Sequence, residues 1–134
     1  MIKFFEKHNK LSLVITFIIA IMIFYISSLS FFKPAGKVAF DIKPILYHML
    51  AFFFFSYFLL ISLIQGKNKN LSVMIMIAII ISLFYGVSDE IHQLFVPGRT
   101  CSFFDFLLDS SGILFAGFLY TLSIKPRKNK NEEF

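Results

Sequence analysis

The sequence predicts an all-α membrane protein, a four-helix transmembrane bundle with both termini in the cytoplasm. Three observations predict it: the apolar content, the length of four apolar runs, and the distribution of basic residues around them. Of 134 residues, 57% are hydrophobic and 20 are phenylalanine, with a mean hydropathy of +0.78. The length suits one domain. A soluble domain of that size would leave large apolar patches in water. Lipid removes the difficulty, because the outer surface is then free to be apolar as well.

The four runs extend from about Leu11 to Phe32, Ile45 to Ile64, Leu71 to about Phe95, and Phe103 to Ile124. Each reaches the roughly 20 residues that a helix needs to cross the hydrocarbon. Polar or helix-breaking segments separate them. Lys33-Pro34-Ala35-Gly36-Lys37 closes the first, and Gln65 to Asn70 divides the second from the third. Pro97-Gly98-Arg99 turns the chain after the third, and Lys125-Pro126-Arg127 ends the fourth, since proline cannot continue a helix. The organisation expected is a cytoplasmic N-terminal segment (1–10), the transmembrane domain (11–124) and a basic, disordered cytoplasmic tail (125–134). A signal-peptide reading of the first run, with Ser28-Leu29-Ser30 as cleavage site, is the lesser one, because the run is long for a signal h-region.

Four spans place both termini and the middle loop on one side. That side holds Lys3, Lys7, Lys10, Lys67, Lys69, Lys125, Arg127, Lys128 and Lys130; the other holds Lys33, Lys37, Lys43 and Arg99. The positive-inside rule assigns the richer side to the cytoplasm and the protein to the cytoplasmic (inner) membrane. The net charge of +5 is carried between apolar runs rather than in a continuous stripe, which argues against nucleic acid as a partner. Cys101 is the single cysteine, so no internal disulfide or cysteine-rich metal motif exists, and it reads as an inert thiol. Ser82 with Gly86, and Gly112 with Ala116, are spaced four apart, the small-residue spacing that lets helices approach closely in lipid. The phenylalanines read as lipid-facing bulk.

The acidic residues are distributed unevenly. Glu6, Glu132 and Glu133 are terminal, whereas Asp41, Asp89, Glu90, Asp105 and Asp109 all map to the outer side, as do His48 and His92. On a helix Asp89, His92 and Gln93 share one face, and Glu90 points roughly 100° away. These acids lie near a helix C-terminus, where the macrodipole disfavours each by roughly 0.3–1 kcal/mol. They therefore need a partner: Arg99, Lys43, a protonated histidine or a bound cation. Ser102-Phe103-Phe104-Asp105 has the form of a capping box, which explains Asp105 structurally. Asp109 lies one turn deeper with Gly112 on its face, so it is expected to point at a packed neighbour. His48 sits about one turn inside the second span, near Asp41 and Lys43. His8 is assigned no role. Ionisable groups near a membrane core are functional candidates, and the plainer reading is a solvated belt of ion pairs.

These residues resemble the VanZ-like family of small membrane proteins over most of the chain. The resemblance runs through Tyr25-Ile26-Ser27-Ser28, Asp41-x-Lys43, His48, Ser88 to Arg99 (SDEIHQLFVPGR), Ser102, Asp105, Asp109 and Gly112. Asp109 stands where many members have asparagine, so a hydrogen-bonding role there is better supported than an obligatory charge. The resemblance implies a cell-envelope protein, its founding members being associated with low-level teicoplanin resistance, and it carries no settled biochemical activity.

Two functions follow. One is an enzyme acting on a lipid-linked or phosphate-bearing envelope molecule. Asp89 and His92 would be its acid–base pair and Glu90 a base or metal ligand, with a divalent cation held through oxygen ligands. His48, Lys43 and Arg99 would hold a phosphate, with Gln93, Asp105 and Asp109 lining the substrate site. The other is a non-catalytic binder of membrane lipid or lipoglycopeptide, using the same residues as a polar pocket. An ion or solute pathway is disfavoured, because the middles of the later spans lack ionisable residues. The residues specify neither substrate nor oligomeric state. The topology predicts that a C-terminal reporter active only outside the cytoplasm stays silent, and an active fusion would overturn the orientation.

Overall fold

The computed structural model describes residues 2–30, 42–64 and 70–124. Five helices follow in order: α1 (Ile2–Lys7), α2 (Asn9–Ser27), α3 (Ile42–Ile64), α4 (Leu71–Gln93) and α5 (Phe103–Ser123). The last four are long and apolar enough to cross a membrane. They coincide with the four apolar runs to within three residues at each end, except that α2 stops at Ser27, five residues before the expected end of the first run. Helix α1 is an addition. It breaks from α2 at His8 and lays Phe5 edge-on against Phe58 of α3, ring centroids 5.4 Å apart. Asp41, the Lys33–Lys37 turn, the loop 65–69 and the tail 125–134 lie outside the described residues.

Helices α4 and α5 each bury one stripe, whereas α3 is buried on all sides over Leu59–Ser62. On α5 the stripe is Asp109, Gly112, Ile113, Ala116, Gly117 and Tyr120; on α4 it is Ala78, Ser82, Gly86, Asp89, Glu90 and Gln93. Steps of three and four keep such residues on one helix face. The opposite faces carry exposed phenylalanine and isoleucine, among them Phe17, Ile21, Phe84 and Phe118, as a lipid-facing surface requires. Phe52 and Phe55 depart from the expectation of lipid-facing bulk: both are buried in the core of α3. Phe55 stacks on Tyr85, centroids 4.8 Å apart, and Tyr85 donates its hydroxyl to the Ala20 carbonyl of α2 at 2.6 Å. Buried serine and threonine return their hydroxyls to their own helices, as Ser82 does to the Ala78 carbonyl at 2.9 Å. Such back-bonding satisfies a hydroxyl within an interface, whereas the buried hydroxyls of Ser27 and Ser56 have no partner among the described residues.

Among the described glycines, the tightest packing is at Gly112, where α5 meets α3. A Cβ built on Gly112 would stand 2.2 Å from the Met49 carbonyl oxygen and 3.1 Å from the Phe53 amide nitrogen. Both are backbone atoms, so no rotamer change makes room. Gly86 of α4 is less confined, its nearest neighbour being the Phe52 ring at 3.5 Å. Gly112→Ala is therefore expected to lower stability by about 1–3 kcal/mol, the usual cost of overpacking, and Gly86→Ala by less. Unfolding of detergent-solubilised variants measures both, and equal tolerance at the two positions would contradict this packing.

Candidate functional site

At one end of the bundle the third and fifth helices begin and the second and fourth end. The polar residues collect there in two groups, separated by which helix they serve.

The first group holds the end of α2. After α4, Val96-Pro97-Gly98-Arg99 makes a turn closed by the Arg99 amide donating to the Val96 carbonyl at 3.1 Å. Gly98 has φ +79°, the value a type II turn needs at the position after proline. The turn aims Arg99 back at α2, where Nη2 donates to the Ile26 carbonyl at 2.9 Å and Nε to the Leu29 carbonyl at 3.1 Å. A helix C-terminus has unpaired carbonyls and a partial negative charge, and a guanidinium satisfies both. His92 joins it: its Nε2 lies 2.9 Å from Ser28 Oγ, and its ring lies against Phe24, centroids 4.4 Å apart. The expected Asp89–His92 partnership is therefore not what His92 makes. The carboxylate of Asp89 instead accepts from Gln93 Nε2 at 2.9 Å, the other partner its helix face offered.

The second group is buried between α3, α4 and α5. His48 Nδ1 and Asp109 Oδ1 are 2.9 Å apart, and the two side chains are 4% and 0% exposed. Asp109 thus meets the packed neighbour that its depth and face imply. Glu90, also buried, accepts from the Ser102 amide at 2.8 Å. Ser102 is the N-cap of α5, and its Oγ accepts from the Asp105 amide at 3.3 Å. The capping box is therefore half formed within its own segment, and Glu90 of α4 takes the Ser102 amide that Asp105 would otherwise accept. One ligand-type atom from each of His48, Glu90 and Asp109 lies within 4.8 Å of the others. The carboxylate of Asp105 is close enough to act electrostatically on His48 and Glu90. Lys43 is exposed in the first turn of α3.

Two side chains beside this cluster carry no weight in the sequence. Tyr47 adjoins Asp89, Arg99 and Asp109 electrostatically, and its buried hydroxyl has no hydrogen-bond partner among the described residues. Its only sequence signal is its place next to His48. Cys101 is exposed in the loop with its thiol against Glu90; partial desolvation, then the Glu90 carboxylate, push the thiol above its usual range, which disfavours the reactive thiolate.

Four helices of membrane-spanning length with a buried acid–histidine cluster at one end define a small multi-pass membrane protein. The VanZ/LLP1 family model matches residues 3–124, and the chain belongs to that family. No curated protein and no solved structure gives a significant match.

The burial of the His48–Asp109 pair makes its removal costly. Asp109→Ala leaves His48 Nδ1 buried without its hydrogen-bond partner and is expected to cost about 3–5 kcal/mol, as for a broken buried pair. Asp109→Asn keeps an oxygen acceptor for the ring N–H and should retain most of that stability. Equal losses in thermal or denaturant unfolding would show that hydrogen bonding to His48 is not what Asp109 contributes.

Proposed function

We propose that this VanZ/LLP1 protein is a cell-envelope enzyme acting on a lipid-linked or phosphate-bearing molecule at the extracytoplasmic face of the cytoplasmic membrane. The observation that carries this reading is the buried His48–Asp109 pair with Glu90 beside it. A histidine fixed by a carboxylate has a set ring orientation and tautomer, which is how a general base is prepared. Here the acid–base role expected of Asp89 and His92 passes to His48 and Asp109, because His92 is committed to Ser28. Glu90, one oxygen held by the Ser102 amide, presents its second oxygen as a further proton acceptor. Asp89 and Gln93 line the same buried region as a hydrogen-bonded unit. Lys43 supplies a cation at the head of α3 for an anionic headgroup, while Arg99 acts mainly by holding α2 in place. Teicoplanin resistance, on this reading, is a consequence of altered envelope lipid rather than of direct attack on the drug.

A non-catalytic lipid or lipoglycopeptide binder is the second reading. It is favoured by the commitment of both Arg99 and His92 to the end of α2, which leaves fewer groups for chemistry. Lipid profiling by mass spectrometry separates the two. Membranes expressing wild-type protein are expected to show a changed lipid species that His48→Asn restores, its turnover falling about 10²–10⁴-fold as for a lost general base. Asp89→Asn is compared at matched protein levels. No difference between wild type and a stably inserted His48→Asn variant rejects catalysis in favour of binding.

A further inference from the structure

Among the described residues, two carboxylate oxygens of the buried cluster are left without a hydrogen-bond partner: Glu90 Oε1 and Asp109 Oδ2. Their side chains are 4% and 0% exposed. A buried carboxylate oxygen without a donor is costly, and two beside one imidazole point to a shared ligand. Each carboxylate is already oriented by its other oxygen, Glu90 through the Ser102 amide at 2.8 Å and Asp109 through His48 Nδ1 at 2.9 Å. The Ser102 hydrogen bond to Glu90 is an outer one of the kind that aims the first-sphere ligands of metal sites, whereas the His48–Asp109 contact joins two of the ligand residues and shows that they already converge. The charge balance agrees: Asp89 and Asp105 add their fields at Glu90, and Glu90 lies in the last turn of α4, where the helix dipole is negative.

We propose that His48, Glu90 and Asp109 form a binding site for one divalent transition-metal ion, of the zinc or manganese type. One imidazole nitrogen with two carboxylates is a borderline ligand set. It suits these ions better than calcium or magnesium, which take oxygen alone. Bonds of about 2.0–2.2 Å to the metal require the three ligand atoms to stand roughly 3–3.5 Å apart, against the present limit of 4.8 Å. Side-chain adjustment of Glu90, the longest of the three, closes that difference. Three protein ligands leave at least one coordination position for water or a substrate oxygen, as in catalytic rather than structural sites. With an ion bound, His48 and Glu90 serve as its ligands and not as proton acceptors, so this site replaces the general-base role given to them above; ion binding itself does not depend on whether the protein is an enzyme or a binder.

The test uses full-length protein in detergent, stripped with chelator and titrated with Zn2+ or Mn2+ by calorimetry. Wild type is expected to bind one ion per chain and to gain thermal stability on binding. Glu90→Gln and Asp109→Asn, each checked for helicity by circular dichroism, are expected to weaken binding at least tenfold, while Asp105→Asn retains it. Bound Cu2+ provides a readout on wild type alone: pulsed electron paramagnetic resonance should show coupling to a single imidazole. Folded wild-type protein that takes up no stoichiometric Zn2+ or Mn2+ overturns the proposal. So does undiminished binding in both carboxamide variants, a Cu2+ spectrum without imidazole, or Mg2+ binding as tightly as Zn2+.

Discussion

The approach of α5 to α3 at Gly112 is the constraint on which the rest of the structure depends. The Met49 carbonyl occupies space that any side chain at position 112 would need. Met49 follows His48 directly, and Gly112 lies one turn beyond Asp109, so the backbone contact and the His48–Asp109 hydrogen bond belong to one junction. Short side chains can meet in lipid only where their backbones are close. Gly112 supplies the closeness, and His48 and Asp109 convert it into a polar contact shielded from both lipid and water. In hydrocarbon neither helix gains much from apolar burial alone, because lipid tails are equally apolar. Close packing and a satisfied polar pair are what distinguish this arrangement from helices sliding freely.

A second junction fixes the remaining helix. The Pro97-Gly98 turn of the α4–α5 loop sends Arg99 to the Ile26 carbonyl in the last turn of α2 and to the Leu29 carbonyl just beyond it. His92 and Tyr85 reach the same helix from α4, through Ser28 and the Ala20 carbonyl. Residues that look from the sequence like one array of catalytic groups thus divide into two tasks. One set anchors α2 to α4. The other, His48, Glu90 and Asp109, is enclosed by α3, α4 and α5 and is the set with unspent hydrogen-bonding capacity. Glu90 connects the two, since the Ser102 amide that it accepts also begins α5.

Much of this was legible in advance because its causes are local. Run length and hydropathy locate the four spans, Ser102 marks the start of α5 by capping, and the spacing of Asp89 and Gln93 foretells their hydrogen bond. The small-residue pairs mark faces that are indeed buried. Less legible were the partners of His92 and Arg99. Helix periodicity places Asp89 and His92 on one face, yet a histidine at a helix end turns outward when a neighbouring helix offers a hydroxyl and an aromatic ring. Helix α1 leaves no signal in the sequence, because Ile2–Lys7 is too short and too charged to show a membrane pattern.

By itself, the sequence determined the class of protein, the spanning segments, and the confinement of Asp89, Glu90, Asp105, Asp109, His48 and His92 to one end of the bundle, since length, hydropathy and charge order are properties of the chain. Tertiary structure alone decided which acid meets which histidine. His48 and Asp109 are separated by 61 positions, and no periodicity within one helix encodes a contact between two. That choice is made by where α5 crosses α3, and Gly112 sets how near the two backbones come.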